Sequence, residues 1–91
     1  MSILTITRMT VQPADADELV SRHADLVRVT GPGLADARLG RFDETTWVAV
    51  WRWDSAADLA AAREGVGAEA AAAFALTSER SMEEIELHDV K

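Results

Sequence analysis

The sequence predicts an α+β fold, a ferredoxin-like split βαβ sandwich that forms a dimeric α/β barrel. Three observations predict it. Stretches with the two-residue period of strands and the 3.6-residue period of helices follow one another as strand, helix, strand, strand, helix, strand. The helices of that arrangement cover one sheet face, yet every strand except the last carries apolar side chains on both. A second bare apolar face is a sticky patch, and a homodimer in which two sheets face each other hides it. Finally, 91 residues make a single domain spanning residues 1–91. Such a chain buries only about 60–65% of the surface its unfolded form exposes, a thin core that a partner subunit remedies.

The first strand runs from Ile3 to Gln12, with Ile3, Thr5, Thr7, Met9 and Val11 on one face and Leu4, Ile6, Arg8 and Thr10 on the other. Pro13 ends it. Asp15 followed three residues later by Glu18 has the pattern of a capping box, and Leu19, Val20, His23, Leu26 and Val27 give the stripe of an amphipathic helix. Gly31-Pro32-Gly33 stops that helix. A second strand, Leu34 to Phe42, turns through Asp43-Glu44-Thr45 into a third, forming a hairpin.

The third strand places Trp47, Ala49, Trp51 and Trp53 on one face and Val48, Val50 and Arg52 on the other, so all three tryptophans share one side. Ser55, with Asp58 three residues on, caps the next helix, which carries Ala57, Leu59, Ala60 and Ala61. Gly65 and Gly67 interrupt it. An alanine-rich helix is predicted over Ala68–Arg80, with Phe74 and Leu76 its bulky apolar residues. A last strand is predicted over Met82–Val90, where Ile85 and Leu87 alternate with Glu84, Glu86 and His88.

Composition excludes several functions. A formal net charge of −7 repels phosphate backbones and anionic lipid surfaces, so neither nucleic acid nor membrane is an expected partner. No apolar run approaches the roughly 20 residues of a bilayer span, and the N-terminus lacks the pattern of a signal peptide, so a cytoplasmic protein is expected. Without cysteine there is no disulfide, thiolate metal site or cysteine nucleophile. His23 and His88 have no metal-ligand spacing and no third partner, so no metal is expected.

The run from Trp47 to Leu59 is a hydrophobic strand ending in Trp53, then Asp54-Ser55, then Leu59 early in a helix. It resembles the strand-to-helix junction of the antibiotic biosynthesis monooxygenase superfamily. Gly33-Leu34 opening the second strand and a proline before the first helix are similar too. The resemblance implies a dimeric α/β barrel with a cavity in each protomer. It also implies oxidation of aromatic, polyketide-like phenols or quinols by oxygen without metal or flavin, hence no cofactor. The superfamily's haem-degrading branch uses a histidine on the helix after the tryptophan strand and an asparagine on the first strand. Residues 55–80 contain no histidine and Ile3 to Gln12 no asparagine, which argues against that activity.

The candidate substrate-binding residues are Trp47, Trp51, Arg38, Arg8 and His88. Trp47 and Trp51 near the strand centre offer stacking surface for a planar ligand if their face points into a cavity, and are plain core if it points at the helices. The helices supply mostly alanine, and Val48 and Val50 are compact enough to pack on them, which turns the indoles towards the cavity. Trp53, beside the helix cap, reads as core. An inward-facing Arg8 or Arg38 could hold a phenolate, and His88 could accept a proton near neutral pH. His23, on an apolar stripe, reads as a hydrogen-bonded core histidine. Residues 83, 84 and 86 form a charged strand, and no nucleophile elbow, phosphate loop or dinucleotide fingerprint is present. The superfamily's oxygenases often use a tyrosine or an asparagine as a cavity acid, and this chain has neither. Two functions remain open: an oxygenase of secondary metabolism, or a non-catalytic dimeric binding or accessory domain of the same fold.

Overall fold

The structure, a computed structural model, describes residues 2–65 and 67–88. Its elements are β1 (Ile3–Val11), a 3-10 turn (Pro13–Asp15), α1 (Ala16–Thr30), β2 (Leu34–Arg41), β3 (Thr46–Trp53), α2 (Ala56–Gly65), α3 (Gly67–Phe74) and β4 (Thr77–Glu86). The four strands form one antiparallel sheet in the order β2-β3-β1-β4. β1 and β2 therefore run the same way with β3 inserted between them, which is the split βαβ arrangement.

Register puts the tryptophans where the alternation places them. Ile3, Thr5, Thr7 and Met9 stand opposite Trp53, Trp51, Ala49 and Trp47. This face is the buried one: Met9, Val11, Trp47, Ala49, Trp51 and Trp53 pack with Leu19 and Leu26 of α1, Leu59 and Ala62 of α2 and Ala73 of α3. The tryptophan face thus points at the helices. Val48 and Val50 do not pack on them, contrary to the sequence reading. Instead they lie with Leu4 and Ile6 on the opposite face, where Leu4 pairs with the exposed Ile85. The reason is volume: three indoles fill the space that alanine-rich helices leave, which valines would not.

The turn between β2 and β3 forms as its residues dictate. Asp43 Oδ1 accepts the N–H groups of Thr45 (3.0 Å) and Thr46 (2.8 Å), which holds the Asp43 carboxyl below the usual carboxylate range. β2 ends at Arg41, and Phe42 is exposed. At α2 the predicted cap is present: Ser55 Oγ accepts the Asp58 N–H (3.2 Å) and donates to Asp58 Oδ2 (2.8 Å).

Two predicted features are corrected. The Asp15–Glu18 capping box does not form. Asp15 ends the 3-10 turn started by Pro13 and caps nothing with its side chain, while Glu18 pairs with Arg22 at 2.5 Å. The helix predicted to reach Arg80 ends at Phe74, and β4 begins at Thr77 instead of Met82. Thr77 Oγ1 donates to the Phe74 carbonyl (2.8 Å), and Arg80 covers the Phe74 ring and donates to that same carbonyl (3.3 Å), closing the helix. β4 contains one extra residue between Ser78 and Ser81, a bulge in which Glu79 takes a left-handed φ of 46°. The Val90 end of the predicted strand lies outside the described residues.

Candidate functional site

Between the sheet and the helices is a cavity of about 170 Å³. The strands contribute Thr5, Thr7, Ala49, Trp51, Trp53 and Met82; α1 contributes His23, Leu26 and Thr30. Leu59, Ala62 and Arg63 of α2, with Ala70 and Phe74 of α3, complete the wall. Strand alternation explains the sheet side, since Thr5 and Thr7 face the same way as the residues opposite them, Trp51 and Ala49. Helical spacing explains the α2 side: Leu59, Ala62 and Arg63 fall at i, i+3 and i+4. Alanines at 49, 62 and 70 leave room that larger residues would fill.

A polar chain stiffens the indoles. The Trp51 Nε1–H donates to His23 Nε2 at 3.0 Å, with the rings edge to face at 5.3 Å between centroids. The Trp53 Nε1–H donates to Thr5 Oγ1 (3.3 Å), whose own hydroxyl points to the Trp51 carbonyl (3.5 Å). The two indoles lie 5.8 Å apart, tilted by 35°. His23 is 8% exposed, and burial lowers its pKa below the ordinary histidine value. A neutral imidazole that accepts at Nε2 carries its proton on Nδ1.

Of the sequence-predicted binding residues, Trp51 lines the cavity. Trp47 is buried on the same face but lies beyond the wall. Its Nε1–H has no partner among the described residues, and Arg41 covers its ring at 5.3 Å. Arg8 lies on the other sheet face, over the Phe42 ring at 5.6 Å. Arg38 is on that face too, exposed and paired with Asp36 at 3.2 Å. His88 follows β4, exposed, with Nε2 3.5 Å from Glu86. The structure therefore does not bring Arg8, Arg38 or His88 to the cavity. It brings Trp53, His23, Thr5 and Arg63 there instead. Trp53 and His23 each combine the two things the sequence set apart, since each is buried and each lines the wall. Arg63 was legible from its spacing to Leu59.

Among the described residues, no three histidine, aspartate or glutamate side chains group as a metal site, and no helix is long and apolar enough to cross a membrane.

A split βαβ sheet with an aromatic-walled cavity under its helices defines a class of small α+β domains that enclose a ligand-sized space. The family model of antibiotic biosynthesis monooxygenases matches residues 2–75, and the chain belongs to that family. No curated protein matches it in sequence. Solved structures share the fold. An antibiotic-biosynthesis-monooxygenase-type protein of Caulobacter crescentus CB15 is 22% identical, with TM-score 0.83 and 97% of this chain and 91% of that one covered. SnoaB, a cofactor-independent oxygenase of Streptomyces nogalater, is 19% identical, with TM-score 0.74 and coverage of 98% and 95%. Rv0793 of Mycobacterium tuberculosis is 17% identical, with TM-score 0.81 and coverage of 99% and 98%.

Proposed function

We propose that the chain is a homodimeric, cofactor-independent monooxygenase of secondary metabolism that acts on an aromatic, polyketide- or quinol-like small molecule held in this cavity. The observation that carries the reading is the wall: two indoles on one side, aliphatic side chains on the others, and a few placed polar groups. SnoaB, of the same fold, is an oxygenase without a cofactor.

The chemistry asks little of the protein beyond positioning. An electron-rich, ionised ring transfers an electron to O2 directly. At a methylene beside such a ring, O2 converts CH2 to C=O: one oxygen atom stays in the product, the other leaves as water, and all four electrons come from the substrate. Trp51 and Trp53 hold the ring flat and exclude water. Because His23 Nε2 already accepts from Trp51, this histidine presents a donor, Nδ1–H, suited to an oxygen that gains negative charge. It is not placed to remove a proton, so the substrate must enter ionised or lose its proton to solvent.

Dimerisation is supported by the bare sheet face of Leu4, Ile6, Val48, Val50 and Ile85, which among the described residues no helix covers. The second reading, a non-catalytic binding domain, is favoured by one feature: among the described residues no carboxylate lines the wall, and its one histidine already accepts from Trp51, so no wall group stands ready to take a proton. Oxygen consumption with a panel of one- and two-ring dihydroxy-aromatic substrates separates the two. The enzyme reading expects uptake that falls at least about tenfold in Trp51→Phe, which keeps a ring but loses the donor to His23. Ligand binding without oxygen uptake across the panel leaves the binding domain. Trp51→Ala with unchanged ligand affinity refutes the stacking role.

A further inference from the structure

Arg63 is the only permanently charged side chain among the described residues of the cavity wall, and no carboxylate lines that wall. The cavity has a dry end and a wet end. Thr5, Thr7, His23, Trp51, Trp53 and Leu59 are buried, whereas Met82 is 51% exposed and the Arg63 side chain 49%. The Arg63 Nη2 lies 3.4 Å from the Met82 sulfur and is paired with Glu84 of β4. A guanidinium thus stands at the mouth of an otherwise uncharged, aromatic-floored space.

We propose that the cavity selects aromatic molecules of one or two rings that bear a single oxyanion, and that Arg63 reads the charge by exchanging Glu84 for the ligand. This rests on the reading of the cavity as a ligand site. Three physical arguments support the finer claim. The first is sign: a cationic ligand would meet no carboxylate on the wall and would face the guanidinium, whereas an anion gains a charge-assisted hydrogen bond from it. The second is exchange. The Arg63–Glu84 pair is half exposed on both sides, and such pairs hold weakly, so replacing one carboxylate by another costs little. The third is size: a cavity of about 150 Å³ is known to hold a benzene molecule. About 170 Å³ admits a substituted ring or a compact bicycle with its charge at the mouth, and not an extended polycycle. The chain's net charge of −7 repels anions at long range, so selection for an anion here depends on Arg63 at short range.

Calorimetric titration with 2-naphthoate, its neutral isostere 2-naphthamide and the three-ring anthracene-2-carboxylate tests the proposal. The wild-type chain is expected to bind naphthoate more tightly than naphthamide, and the three-ring acid at least about tenfold more weakly than naphthoate. Arg63→Gln should weaken naphthoate about tenfold while leaving naphthamide within about twofold; Arg63→Lys should keep the preference for the anion. Glu84→Gln should tighten naphthoate by freeing the guanidinium. Equal affinity for naphthoate and naphthamide, or equal losses of both in Arg63→Gln, overturns the charge-reading role while the cavity stands as a ligand site. Equal affinity for the three-ring acid overturns the size limit. Heat from none of the three ligands overturns the ligand-site reading itself, and this proposal with it.

Discussion

His23 and Trp51 illustrate how a single hydrogen bond fixes a protonation state. The indole N–H can only donate, so His23 Nε2 must accept, and a doubly protonated imidazole would break the contact. Burial acts in the same direction, lowering the pKa of His23 in the fold. The unfolded chain therefore takes up a proton near the ordinary histidine value of ~6.5, at a pH where the folded chain still refuses it. Stability rises with pH across the window between the lowered folded value and 6.5, and falls as pH drops through it. The thermal midpoint should decline from pH 8 to pH 5.5, and His23→Gln, whose side-chain oxygen can still accept, should flatten that decline. An unchanged slope in the variant would place the pH dependence elsewhere. His23→Ala removes the acceptor, leaves a buried donor unmatched and opens a void. A loss of about 2–4 kcal/mol is expected in denaturant unfolding.

The junction between β2 and α2 depends on Gly33. Its carbonyl accepts the Asp54 N–H at 2.8 Å, and its φ of 96° lies in the left-handed region. A Cβ there would sit 2.5 Å from Asp58 Cβ and Cγ, the residue that Ser55 engages to start α2. Gly31 also has positive φ, at 81°, but open space around it. Gly33→Ala should therefore cost at least about 1 kcal/mol more than Gly31→Ala, the excess measuring the clash beyond backbone strain. Equal losses would show that Asp58 gives way. Ser55→Ala removes the α2 cap and should cost about 1 kcal/mol by the same measurement.

These devices differ in how far the sequence discloses them. The Ser55–Asp58 cap and the Asp43 turn announce themselves through residue types that have few other uses, while the interruption expected at Gly65 and Gly67 spans residue 66, outside the described residues. The Asp15–Glu18 pattern has the same spacing as the Ser55–Asp58 cap, but Pro13 starts a 3-10 turn that uses Asp15 as its end. β4 opens with Thr77-Ser78-Glu79-Arg80-Ser81, an edge strand polar on both faces, so no alternation marks it and the alanine-rich helix before it reads straight through. The cavity was half legible: alternation grouped the tryptophans, but which layer they meet depends on volumes summed across four elements. Arg8 and Arg38 were assigned to the binding site for their chemistry, and strand parity puts them on the other face.

At the scale of the whole molecule, the bare sheet face is what the proposed dimer rests on. Four strands about 4.8 Å apart, each about 27 Å long, give a face of roughly 500 Å² in projection, and the apolar part of it is contiguous and uncovered by any helix among the described residues. Leu4, Ile6, Val48 and Val50 form its centre, and Arg8, Arg38, Arg52 and Glu83 give it a charged fringe. That is the pattern of an interface core with a polar rim. The wild-type chain is expected to sediment as a dimer at low micromolar concentration. Val50→Glu would place a carboxylate at the centre of each copy and, under a two-fold axis, set like charges against each other in a dry contact. The variant should sediment as a monomer and lose thermal stability in proportion to the coupling that dimerisation supplies. Trp51 and the cavity lie on the opposite side of the sheet, so the monomeric variant also asks whether the ligand site needs the partner. Calorimetric affinity for 2-naphthoate retained in the monomer would mean that one copy holds a complete site, whereas its loss would mean that the partner stiffens the sheet on which Trp51 and Trp53 stand. A wild-type chain that stays monomeric and folded at these concentrations would refute the paired-sheet assembly outright.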